Sequence, residues 1–64
     1  MGKYIKVMIE ELKTDDIFSF RTTKPIYWRF LAIENNEIVY EEIRSKFRHT
    51  TAFRQIIVLK KISI

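Results

Sequence analysis

Tyr27-Trp28-Arg29-Phe30-Leu31-Ala32-Ile33-Glu34-Asn35-Asn36-Glu37-Ile38-Val39-Tyr40 is the stretch whose reading decides the fold. Residues 27–33 are rich in aromatic and β-branched side chains and apolar at both parities, the pattern of a strand covered on both faces. Asn35-Asn36 then tolerates positive φ between two β-rich runs, so it reads as a hairpin tip, and Glu37–Tyr40 answers as the returning strand.

Working outward, the chain keeps the same texture. Towards the N-terminus, Ile17-Phe18-Ser19-Phe20 follows a turn at Thr14-Asp15-Asp16. Before that turn, Ile5, Val7 and Ile9 alternate with Lys6, Met8 and Glu10. Between Phe20 and Tyr27 the run Thr22-Thr23-Lys24-Pro25 reads as a loop, with Lys24 pushed to an extended backbone by the proline that follows it. Towards the C-terminus, residues 55–62 give a last strand. Gly and Pro occur once each, so the turns must come from Asn, Asp and Thr. No repeat, linker or low-complexity tract interrupts the chain.

The segment from Arg44 to Arg54 is open to two periods. On a helix, at about 100° per residue, Lys46 and Arg54 fall inside the arc of Ile43, Phe47, Phe53 and Ile57, which buries two charges. On a strand, Arg44, Lys46, Arg48 and Arg54 share one face and Phe47, His49, Thr51 and Phe53 the other. The strand separates the residue types, and a helical turn around Glu41–Lys46 stands as the alternative. Five or six short antiparallel strands in 64 residues predict an all-β chain folded as a small barrel.

The phrase Leu12-Lys13-Thr14-Asp15-Asp16-Ile17-Phe18 resembles the Leu-Lys-x-Gly-Asp-x-Phe phrase that opens many SH3-like barrels, where a tight turn precedes a strand. Asp15 stands where those proteins usually have Gly. With Glu11 before it, the resemblance covers about eight residues and implies an SH3-like barrel, with no activity attached.

Length and composition set limits. Residues 1–64 have room for a single domain, and a chain of this size buries only about 60% of the surface it exposes when unfolded. Net stability of roughly 3–10 kcal/mol is then expected from about 0.05–0.15 kcal/mol per residue. With no cysteine, neither a disulfide nor a Cys-based zinc site is available. The nine Phe, Tyr and Trp side chains offer large buried areas instead, and an oligomer interface is a second route to stability. The longest apolar run, Ile56-Ile57-Val58-Leu59, is far short of the roughly 20 residues of a membrane helix. The alternating N-terminus is unlike a signal peptide, and Lys6 stands where myristoylation after Met1-Gly2 needs Ser or Thr. A cytoplasmic protein without membrane association is expected.

Charge is uneven. Residues 1–43 hold six basic groups and all eight acids, a balance of −2, whereas residues 44–64 hold six basic groups and no acid. Those six, Arg44, Lys46, Arg48, Arg54, Lys60 and Lys61, are the candidate contacts to a polyanion, nucleic acid first. Trp28 and Tyr40 are candidates to stack on unpaired bases, or else to build the core.

Catalysis is poorly served. The acids come as neighbours, Glu10-Glu11, Asp15-Asp16 and Glu41-Glu42, and adjacent residues on a strand point to opposite faces. His49 is the sole histidine, and Ser19, Ser45 and Ser63 sit in no nucleophile motif. Parity places His49 beside Phe47 and Phe53 on the apolar side. No phosphate loop, cofactor motif or metal motif is present. The function expected is non-enzymatic binding through a basic strand face. A protein-interaction or homodimerising module is the alternative. Third comes a small ribonuclease-like toxin built on Arg48-His49-Thr50-Thr51 and Arg54.

Overall fold

The computed structural model describes residues 3–62. It is all-β. Six strands form one antiparallel sheet: β1 (Lys3–Met8), β2 (Ile17–Ser19), β3 (Trp28–Glu34), β4 (Glu37–Glu42), β5 (Arg48–Ala52) and β6 (Ile57–Ile62). Their order across the sheet is β1-β6-β2-β3-β4-β5.

β3 sits in the middle, between β2 and β4, in keeping with its apolar run. The β3–β4 hairpin closes through Asn35 (φ 50°) and Asn36 (φ 63°), with Glu34 opposite Glu37. Two successive left-handed residues make the turn whose twist matches paired strands, and asparagine accepts that backbone at lower cost than most residues. The register slips once, between Phe30 and Ala32, so Leu31 is the extra residue of a bulge.

The turn before β2 explains the substituted phrase. Asp15 adopts φ 77°, the left-handed conformation for which glycine is the default residue. Around it the Lys13 N–H donates to Asp16 Oδ2 (2.8 Å) and the Asp15 N–H to the Phe30 carbonyl (2.8 Å). The Phe30 N–H in turn donates to the Asp16 carbonyl (2.8 Å). Aspartate therefore does the job of glycine here, in a turn stitched to β3.

Residue pairing across the sheet defines two faces. Val7, Val58, Phe18, Trp28, Phe30, Tyr40 and His49 lie on the inner one. Ile9, Leu12, Phe18, Phe30, Ile38 and Val58 form the buried cluster, with Val7, Phe20, Trp28, Tyr40, Phe53 and Ile56 packed against it. Phe18 is the hub, its ring meeting Phe20, Phe30 and Tyr40 edge-on at centroid distances of 4.9, 6.0 and 6.1 Å. A single 3-10 turn, Ile9–Glu11, caps this core after β1. Its entry is fixed by the Met8 N–H donating to Glu11 Oε2 (2.8 Å).

Three expectations are corrected. The barrel does not close. After Ala52 the chain leaves β5, and the Phe53 N–H donates back to the Asn36 carbonyl (2.9 Å). Residues 53–56 then cross to β6, where the Ile9 N–H donates to the Ile56 carbonyl (2.9 Å). β6 slots between β1 and β2, leaving β1 and β5 as sheet edges. Lys24 is not extended but left-handed, at φ 50°. The cause lies at Ser19, the buried polar residue of the core at 0% exposure. Its Oγ donates to the Arg21 carbonyl (2.8 Å) and accepts from the N–H groups of Arg21 and Ile26 (both 3.1 Å). With both ends of the loop pinned to one hydroxyl, the chain reverses at Lys24 despite the preference imposed by Pro25.

The third correction concerns the basic strand. β5 runs only from Arg48 to Ala52. Arg44 lies in the turn at 43–45, Lys46 follows it at φ 60°, and Arg54 lies in the loop beyond. The helical-turn alternative is the closer description, because the Lys46 N–H donates to the Glu42 carbonyl (2.9 Å), a single unpropagated α-turn.

Candidate nucleic-acid interface

The β4–β5 turn carries the densest set of chemically useful side chains. The Glu42 N–H donates to the Phe47 carbonyl (3.0 Å), so the two residues face each other across the hairpin mouth. Ser45 Oγ donates to Glu42 Oε1 (2.7 Å) and accepts from the Phe47 N–H (3.2 Å). The other carboxylate oxygen, Glu42 Oε2, lies 3.3 Å from His49 Nε2. The Ser45 hydroxyl, followed by His49, holds the Glu42 carboxyl below its ordinary range. Both of its oxygens are thus engaged, and the carboxylate is held in its ionised form at this turn.

From this network an aromatic row runs into the core. The His49 ring stacks on Tyr40 (5.6 Å, 18°) and meets Trp28 and Phe47 edge-on, each at 5.2 Å. Trp28 meets Tyr40 edge-on at 5.0 Å. The row starts at the buried Phe18–Tyr40 contact and ends at Phe47, which is 65% exposed. The exposed phenyl ring is thus an apolar surface at the end of an ordered aromatic row. Beside it runs a groove of about 430 Å3 lined by Ile26, Tyr27, Trp28, Glu42, Ile43 and Arg44.

The six basic candidates divide among four places. Arg44 and Lys46 are exposed in the turn that holds Phe47. Arg48 is the register partner of Glu41, on the outer face, where Glu41 Oε1 already accepts from Arg29 Nη1 (3.0 Å). Arg54 lines a separate groove with Phe20, Ile38 and Tyr40. Lys60 and Lys61 sit on β6, with Lys60 Nζ 3.4 Å from Asp16 Oδ2. Among the described residues, Arg44, Lys46 and Arg48 form no salt bridge. The structure therefore gathers three of the six around one hairpin end and sends the other three elsewhere.

Parity placed His49 correctly among the aromatic side chains beside Phe47. Trp28 and Tyr40 are half-buried members of the core's margin. The residues that the sequence left unmarked are Phe47 as an exposed ring and the Glu42–Ser45–His49 network. The single sign of the latter was the spacing of an acid, a serine and a histidine around one turn. Arg48 and His49 point to opposite faces of β5, the Ser45 hydroxyl donates to Glu42, and Thr51 lines the same groove as Arg54. Ser63 lies outside the described residues. Among the described residues, no cluster of three or more metal-ligating side chains occurs, and no helix is long and apolar enough to cross a membrane.

Comparison of the chain with protein-family models, with curated proteins and with solved structures found no match.

Proposed function

We propose that the chain is a non-enzymatic binding module for single-stranded nucleic acid and that the β4–β5 end is its contact surface. The observation that carries this reading is Phe47, a largely exposed ring flanked by Lys46 and Arg48 in a stretch without acids. Unpaired bases stack on Phe47 and the margin of Trp28, while Arg44, Lys46 and Arg48 neutralise phosphates. Both terms are tolerant of sequence. The SH3-like kinship of the fold belongs to the same proposal. It is supported by the Leu12–Phe18 turn, in which Asp15 takes the left-handed backbone of the usual glycine.

The test is a salt titration of binding to labelled single-stranded and duplex oligonucleotides. Binding in the micromolar range or weaker is expected, falling steeply with salt. Replacing Arg44 and Lys46 by alanine lowers the single-strand salt slope by about 1.4, at about 0.7 per phosphate contact. Phe47→Ala weakens single-strand binding by roughly 5- to 150-fold, at about 1–3 kcal/mol for one stacked base. The absence of binding at low salt refutes the reading.

A second reading, a protein-interaction or self-associating module, draws on the exposed apolar side chains Tyr4, Ile5, Ile26, Ile43 and Ile57. Light scattering decides its homodimer form.

A further inference from the structure

The seam where a barrel would have closed is unfilled. β5 pairs with β4 along one side. Among the described residues no strand takes its other side, so alternate N–H and C=O groups face outward there. The two edges of the sheet differ in protection. β1 carries Lys3 and Lys6 along its length, the usual guard against strand addition. β5 reads Arg-His-Thr-Thr-Ala, with one charge at its start and β-branched residues in its middle. Beside β5, on the inner face, Phe20, Ile38, Tyr40, Thr51, Arg54 and Ile56 line a groove of about 450 Å3.

We infer that this seam is a docking site for an extended acidic peptide segment of a partner, added to β5 as a seventh strand. A strand offers side chains alternately to two faces. The inner set fills the groove over Phe20, Tyr40 and Ile56, and the outer set runs along the face that carries Arg48. Arg48, on that outer face, takes a carboxylate. Main-chain pairing supplies affinity and the alternate pockets supply selectivity. Charge chooses the occupant. Arg48 heads β5 and Arg54 lies at the groove beside it, so a second copy meets like charge at this edge, whereas an acidic segment meets its complement. The inference does not rest on the nucleic-acid reading, whose aromatic platform is Phe47.

The probe is an eight-residue peptide in which glutamate alternates with valine, titrated into the isotopically labelled full chain and followed by amide chemical shifts and hydrogen exchange. Saturable shifts and slowed exchange on Thr50, Thr51 and Ala52 are expected. The same peptide with lysine for glutamate, or with alternate backbone nitrogens methylated on its pairing side, does not bind. Arg48→Glu lowers peptide affinity by about tenfold or more, while Phe47→Ala leaves peptide affinity unchanged and lowers oligonucleotide affinity alone. The proposal is overturned if shifts are absent or confined to residues 44–47. It is equally overturned if the lysine or methylated peptide binds as well as the original, or if light scattering shows a dimer of the chain filling the edge.

Discussion

The two hairpins that share β4 are turned by different means. At Asn35-Asn36 the requirement is local: two residues at positive φ, with Glu34 and Glu37 directly paired. At the β4–β5 end the reversal is held by side chains, with Ser45 and His49 on the Glu42 carboxylate and only Lys46 left-handed. A turn written in backbone preference fixes register by itself. A turn held by a side-chain network fixes it only once those side chains have met, and it leaves an exposed ring and two free cations at its tip.

The largest test of that contrast is to remove the backbone preference at the first turn. Asn35→Val with Asn36→Val forces two β-branched residues into the left-handed region, and a loss of about 2–4 kcal/mol is expected at about 1–2 kcal/mol per residue. Chemical denaturation measures it, and for a domain of this size it amounts to unfolding a large fraction of the molecules. Ser45→Ala attacks the second turn by removing two exposed hydrogen bonds, one of them to a carboxylate, and should cost about 1–2 kcal/mol. If Ser45→Ala proves the more damaging change, the contrast is wrong. Asp15→Gly extends the comparison to a third turn. Relieving a left-handed non-glycine residue should stabilise by about 0.5–1 kcal/mol, read as a higher denaturation midpoint.

The smallest effect is in pH. Glu42 is held below its ordinary value of 4.5 in the fold, so the unfolded chain binds its proton first as pH falls. Its contribution is whole above that value and is lost as pH drops through the lower folded value. Glu42→Gln should flatten this acid limb of a stability profile. At the other end of the scale, Tyr27 is pushed up from 10.0 to about 12 by burial and then by its neighbour Tyr4. The folded chain keeps this proton longer than the unfolded one, so stability falls between pH 10 and about 12. Tyr27→Phe should remove that alkaline loss.

How much of this was legible follows the same division. The β3–β4 hairpin, the turn before β2 and the central place of β3 were readable, because each rests on residue preferences within a few positions. The basic strand face was misread. Parity holds only while a strand continues, and a period of two cannot reveal that Lys46 turns left-handed or that pairing resumes at Arg48. The place of β6 was also beyond reach. Its pairing of Lys3 with Ile62 depends on contacts across almost the whole chain, which no local pattern encodes. Ser19 gave no warning either. One serine in an apolar run looks incidental until the loop it anchors is seen. The candidate site was legible in its charges and not in its shape, since no count of arginines marks Phe47 as the exposed ring.

The insertion of β6 between β1 and β2 also orders events in time. Among the described strands β1 pairs with β6 alone, so during synthesis its ladder must wait for β6. Until Ile57–Ile62 leaves the ribosome, the only sheet available is β2 to β5, with Val58 missing from its core. Completion of this domain is therefore a late, all-at-once step set by the longest loop closure in the chain, and a nascent chain halted before Ile57 presents the unguarded flank of β2 to whatever else is near.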